Sequence, residues 1–288
     1  MRNDECIYIS ENPYSIMFTR RKMLLKLIQL PQSMSKIRIV KLMFLISKDS
    51  TLKNPPYYFI PYKHGPFSFQ LYSDLSYLEQ KEYIVINQYL VRAKKEKINL
   101  DKEKLKIIRK YFGKFKNSSD KTLINYTYSK YPEYTHYNSI IEPEYKSETG
   151  IVTIGYEGLT IDQFLMKLIS HKIGTVVDVR KNAFSRKYGF SSNLEGFLSK
   201  LGIGYVHFPE LGIPSGKRKN LESFASYQAL FREYESGLES KLKKIREIFN
   251  MGMSEKIALM CFESDPNYCH RKIIGIKLEE MGAQVVDL

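Results

Sequence analysis

The chain has 288 residues, 43% of them hydrophobic, and a net charge of +14, enough for two domains of ordinary size. No stretch approaches the roughly 18 unbroken apolar residues of a membrane helix, and the opening residues lack the apolar core of a signal peptide, so a cytoplasmic protein without membrane association is expected. Three cysteines, Cys6, Cys261 and Cys269, exclude a disulfide framework and leave free thiols or metal ligands.

In chain order, Met23, Leu24, Leu27 and Ile28 predict a helix that breaks at Pro31, and Ile37, Val40, Leu42, Phe44, Leu45 and Ile46 predict a second. Tyr57 to Ile60 read as a short strand and "PYKHGPFS" as a turn. Ser68 suits a cap for a third helix with Leu71, Leu75 and Leu78 inside, and "YIVINQYLVRAK" reads as a hairpin. Helices followed by a small hairpin are the order of a winged helix-turn-helix, which would set a basic helix against DNA. Ile98, Leu100, Leu105, Ile108 and Phe112 predict a further, strongly charged helix. Residues 1–129 are thus read as a basic, mostly helical recognition domain and residues 130–149 as a linker.

Charge supports that division. Up to Gly150 there are 26 basic and 15 acidic residues, and after it 19 and 16. A basic half beside a nearly neutral one suits contact with DNA or another nucleic acid, for which Lys63, His64, Lys217 and Arg218 are candidate contacts.

From residue 150 the pattern alternates. "IVTIGYEG", "TVVDVR", "YVHFPELG", "KIALMCFES" and "QVVDL" read as strands, separated by helical segments in which Thr160 is a cap and "SFASYQALFREYESGLESKLKKIREIFNMG" is one or two helices. This predicts an α/β domain over residues 150–288 with an open, parallel, Rossmann-like sheet. Ligands of such sheets lie at the carboxyl ends of the strands, where Tyr156, Asp178, Arg180, His207, Glu210, Cys261 and Glu263 all fall. The last helix is expected to begin near Asn267, with Cys269, His270 and Arg271 in its first turns.

The chemistry stays open among three readings. Asp178 or Glu263 can serve as a general base while Arg180, Arg186 and Arg271 hold a phosphate, with Tyr156, Phe190 and Tyr205 available to stack a base. Cys269, beside Arg271 at a helix N-terminus, can be an activated thiol with His270 near it, whereas Cys261 is expected to be inert. A third reading is a DNA-binding regulator without catalysis. Neighbouring Cys269 and His270 are not expected to face one ion from a regular helix, so no metal is expected; nor is any cofactor, since neither "GYEG" nor "LGIP" is a phosphate-binding fingerprint.

Two resemblances bear on these readings. "YYFIPYKHGPFSFQLYSDLSYLEQKEYI" resembles the core of the Panacea antitoxin-type domains, the domain of unknown function family 4065, with Glu82 where that family has glycine. The resemblance implies a regulatory or recognition domain, with a toxin or defence protein against mobile DNA as a candidate partner. "TIGYEG", "VVDVR", "SRKYGFS", "LGIGYVHFPELG" and "LMCFESDPNYCHR" together resemble the domain of unknown function family 488. That pattern marks Gly155, Asp178, Arg180, Ser185, Arg186, Leu211, Gly212, Cys261, Glu263, Pro266, Cys269, His270 and Arg271, and this chain departs from it in "RKNAFSR", where the family often has a proline near Ala183. The reading drawn from all of this is a nucleic-acid- or nucleotide-directed enzyme cleaving an N-glycosidic or phosphodiester bond. The alternatives are an antitoxin-like regulator and a cysteine-dependent transferase.

Overall fold

The computed structural model describes residues 17–94, 98–135, 148–191, 193–218, 221 and 223–288. Cys6, His136, Lys219 and most of the expected linker lie outside the described residues. Those described fall into two compact units, one within Met1–Tyr58 and Pro66–Pro132, the other within Phe59–Gly65 and Glu133–Leu288.

In the first unit, helices α1 (Thr19–Ile28), α2 (Lys36–Ser47) and α3 (Phe69–Gln80) accompany an antiparallel sheet of order β1-β5-β4, formed by Met34–Ser35, Leu90–Ala93 and Ile84–Asn87. This is a winged-helix order. Between α2 and α3 in the chain come the short strands β2 (Ile60–Tyr62), which belongs to the second unit, and β3 (Gly65–Phe67), and Lys63 and His64 between them are exposed. Ser35 and Ser68 cap α2 and α3 through the N–H groups of Arg38 and Leu71. Helix α3 does not carry the basic charge: it contains Asp74 and Glu79 but neither lysine nor arginine. Glu82, after α3, takes a left-handed φ of 58°. Tyr83 N–H then reaches Leu78 O at 2.8 Å and Glu82 N–H reaches Glu79 O at 2.8 Å, so the turn keeps the helix-ending form that glycine favours.

The basic excess sits elsewhere. Helix α4 (Lys102–Phe115), capped by Asp101, buries Ile107, Ile108, Tyr111 and Phe115 and turns Lys106, Arg109 and Lys110 outward. The buried seam includes Ile108 as expected but runs through Ile107 and Tyr111, leaving Leu105 and Phe112 half-buried. Helix α5 (Asp120–Lys130) packs against α2, where Asp120 receives Arg38 Nε at 2.8 Å and Ser35 Oγ at 2.5 Å.

Asp74 ties this unit together. Its fully buried carboxylate accepts Arg20 Nε at 2.7 Å, Arg21 Nε at 2.7 Å and the Tyr57 hydroxyl at 3.0 Å. Removing one member of such a set strands the others in a poor solvent. Asp74→Ala is therefore expected to lower stability by about 2–4 kcal/mol, measured by denaturant unfolding of the full chain. A loss below about 1 kcal/mol would show that solvent screens the set.

The second unit is the expected α/β structure. Strands β6 (Gly150–Gly155), β7 (Thr175–Asp178), β8 (Gly204–His207), β9 (Lys256–Cys261) and β10 (Val285–Asp287) form one parallel sheet of order β10-β6-β9-β7-β8. The connecting helices are α6 (Ile161–Ser170), α7 (Leu194–Ser199), α8 (Phe224–Ser236), α9 (Leu242–Ser254) and α10 (Arg271–Glu280). Side chains alternate between the faces of a strand. Val177, Ile257, Leu259 and Cys261 join the core under α8, α9 and α10, while their neighbours Val176, Ala258 and Met260 are buried as well. Both faces are covered, which accounts for strands that read as continuous apolar runs.

Candidate functional site

Strand β9 lies between β6 and β7, so three consecutive carboxyl ends converge at its last residue, Cys261. The chain beyond it folds back across β6. Tyr156 N–H reaches Cys261 O at 3.3 Å and Glu157 N–H reaches Phe262 O at 2.8 Å. Gly155 permits this crossing, because a Cβ there would lie 1.8 Å from Glu263 O. Arg271, 1% exposed, binds the same loop through Glu263 O and, at 2.9 Å, Ser264 O, and anchors it to Thr153 Oγ1 of β6 at 3.1 Å. Glu157 adds bonds to Ser264 N and Oγ. The loop is pinned from three sides, so the Glu263 side chain starts from a fixed backbone.

Asp265 and Pro266 then close a 3-10 turn over Pro266–Tyr268, with Asp265 Oδ1 accepting Asn267 N–H at 2.8 Å. Cys269 follows in extended backbone, φ −129° and ψ 135°. Helix α10 begins only at Arg271, because the proline turn consumes the residues read as its first turn. Two expectations are corrected here. Cys269 lies outside the helix, ahead of its N-cap His270, and the extended backbone lets Cys269 and His270 face the same point.

They meet Cys261 there. The His270 ring stands 3.8 Å from Cys261 Sγ and 3.9 Å from Cys269 Sγ, both measured at Nδ1. All three side chains are at most 1% exposed, and both cysteines are free. His270 Nε2 is 2.9 Å from Val179 O; a carbonyl only accepts, so Nε2 carries the proton and Nδ1 keeps a lone pair. Cys261 also lies 3.3 Å from Glu263 Oε2. Arg218 closes the group, with Nη1 on Glu263 Oε1 at 2.6 Å and Nη2 on His270 Nδ1 at 3.1 Å.

The electrostatics follow from this packing. A hydrogen bond from Cys269 holds the Cys261 thiol well below its ordinary range against the cost of burial, with Arg218 adding to the effect. Burial and the bond to Cys261 push Cys269 the opposite way. Burial, then the charge of Cys261, raises Glu263, while Arg218 opposes. The expected order of the thiols is thus reversed: Cys261 is the acidic one, because Cys269 donates toward it.

Several predicted site residues have other tasks. Asp178 is fully buried and accepts Arg180 Nε at 2.9 Å, Arg180 Nη2 at 2.6 Å and the Tyr205 hydroxyl at 2.8 Å. Arg180 further binds Tyr156 Oη and Phe190 O, each at 2.9 Å. Tyr156 stacks on Phe190 with ring centroids 4.2 Å apart. These side chains form a closed structural network, so Asp178 has no free lone pair directed at a substrate, and the aromatic faces already have partners. Arg271 is committed to the Glu263 loop rather than to a phosphate. Glu210 lies on the surface with Lys244 at 3.7 Å, and His207 Nε2 meets Arg180 O at 2.8 Å. Arg186 is exposed.

Beside the cluster lies a small cavity lined by Gly212, Ile213, Pro214, Lys217, Leu230, Glu233, Tyr234, Gly237 and Lys241. Tyr234 is shared: it lines the cavity, and its ring meets His270 edge-on at 5.5 Å. The 3-10 turn Ser215–Arg218 is shared too, sending Lys217 to the cavity and Arg218 to the cluster. Burial, then repulsion from Lys181 and Lys217, lowers the Lys241 pKa while Glu210 opposes, and Lys217 Nζ is paired with Glu233 Oε1 at 2.5 Å. Lys181 abuts Gly212, where a Cβ would fall 1.9 Å from Lys181 N.

A parallel sheet covered on both faces, with its polar cluster at the carboxyl edge, defines an α/β unit. Residues 160–278 match the family model described as Domain of unknown function DUF488. The match takes in the cluster, the helices from α6 to α9 and most of α10, and it carries the resemblance of the C-terminal half to that family. No curated protein matches the chain, and no solved structure does.

Proposed function

We propose that the second unit is an enzyme performing a hydrolytic or transfer step on a phosphate-bearing substrate, a nucleotide or a nucleic acid. The observation that carries the reading is the sharing of Tyr234 and the Ser215–Arg218 turn between two features: a cavity rimmed by Lys217 and Lys241, and the buried Cys261–Glu263–Cys269–His270 cluster. Lys241, and Lys217 once it exchanges Glu233, which it holds at 2.5 Å, supply the attraction for phosphate oxygens, and Glu263 is the carboxylate at the edge of the cluster, 16% exposed at its side chain. The first unit fits a recognition role through Lys53, Lys104, Lys106 and Lys110, which line one cavity, rather than through α3.

The test is a panel of nucleoside monophosphates, single-stranded oligonucleotides and duplexes, followed for product release. At least one is expected to be processed, with Glu263→Gln slower by about 100-fold or more at unchanged fold and Lys217→Ala raising KM more than it lowers kcat. The reading is contradicted if no member of the panel turns over, or if Glu263→Gln works as the parent does.

A further inference from the structure

We infer that Cys261, Cys269 and His270 bind a zinc ion, with the fourth ligand position directed toward Glu263 and Arg218. The donor set, from the described residues, is two sulfurs and one imidazole nitrogen whose ligand atoms all lie within 4.8 Å of one another. In tetrahedral zinc, bond lengths near 2.3 Å to sulfur and 2.0 Å to nitrogen set the sulfur-to-nitrogen edge at about 3.6 Å. The two edges here are 3.8 and 3.9 Å, so a shift of a few tenths of an ångström brings the donors to coordination distance.

Orientation agrees with distance. The Val179 carbonyl fixes the His270 proton on Nε2 and leaves Nδ1, the nitrogen facing both sulfurs, able to ligate; a backbone carbonyl behind a histidine is a recurrent second contact of zinc sites. Thiolate and imidazole together favour zinc over magnesium or calcium, which take oxygen ligands. Three protein ligands from a short loop and one strand end leave one position for water or substrate, the pattern of catalytic rather than structural zinc. Arg218 Nη2 is 3.1 Å from His270 Nδ1; on metal binding Arg218 shifts onto Glu263, which its Nη1 already holds at 2.6 Å. Arg218 Nε is buried without a hydrogen-bond partner, so the guanidinium has a donor left for a group arriving at this position.

The inference goes beyond the enzymatic reading and is measured without substrate, so zinc binding and turnover stand or fall separately. The full chain, purified without chelator, is assayed for metal by mass spectrometry. Cobalt is then exchanged in, and its thiolate charge-transfer and visible bands are recorded. One zinc per chain and a tetrahedral thiolate–cobalt spectrum are expected. Zinc affinity should fall about 100-fold or more in Cys261→Ser and in Cys269→Ser, and remain near the parent's in Glu263→Gln. Because the serine variants can lose stability, the cobalt spectrum of the parent and zinc protection of its thiols from alkylation serve as independent readouts. Sub-stoichiometric zinc, a cobalt spectrum without thiolate bands, or alkylation at the same rate with and without zinc would overturn the inference.

Discussion

Asp178→Ala is expected to cost about 3–5 kcal/mol of stability, because it leaves the Arg180 guanidinium buried without its counter-charge. Arg180 is 6% exposed, so water cannot replace the two carboxylate oxygens, and the Tyr205 hydroxyl loses its acceptor in the same step. Asp178→Asn keeps the shape but removes the charge, and should cost about 2–3 kcal/mol. Urea unfolding of the full chain measures both. If Asp178 were a general base, Asp178→Asn would instead stay as stable as the parent while losing turnover.

Gly155→Ala is expected to be the most disruptive small change in the second unit. The added methyl would meet Glu263 O at 1.8 Å and Ser264 Cα at 2.9 Å, both backbone atoms that no rotamer change can move. The loop must lift, taking with it the two carbonyls that Arg271 binds. A loss of about 3 kcal/mol or more follows, together with displacement of Glu263 from Cys261. Thermal unfolding gives the first effect, and a changed alkylation rate at Cys261 gives the second. Unchanged stability would mean that the loop approaches β6 less closely.

Much of this architecture is legible in the chain. The change from helical to strand-and-helix periodicity at Ile151 marks the parallel sheet, and the clustering of polar residues just after apolar runs marks its carboxyl edge. Less legible is what each polar residue does there. Asp178, Arg180, Arg271 and Tyr156 stand where they were expected, yet their hydrogen bonds end on protein groups; a sequence names the donor but not whether its acceptor is a substrate or a loop. The helix start was misplaced because Asp265 and Pro266 form a turn of their own. Asp-Pro before a helix was the available signal, and it decides that Cys269 and His270 face one point. The place of Arg218 in the cluster depends on contact with residues 45 and 52 positions away, which no local pattern encodes. Helix α5 gives no clear apolar stripe in the sequence, because it buries only Leu123 and Thr127.

The central claim is that Cys261, Cys269 and His270 hold a zinc ion beside Glu263 and Arg218. Diffraction data collected on either side of the zinc absorption edge, from crystals of the full chain grown without chelator, test it most directly. The account predicts one anomalous peak within bonding distance of both sulfurs and His270 Nδ1, with its open side toward Glu263. No peak there, with the two sulfurs joined to each other or turned apart, would contradict it.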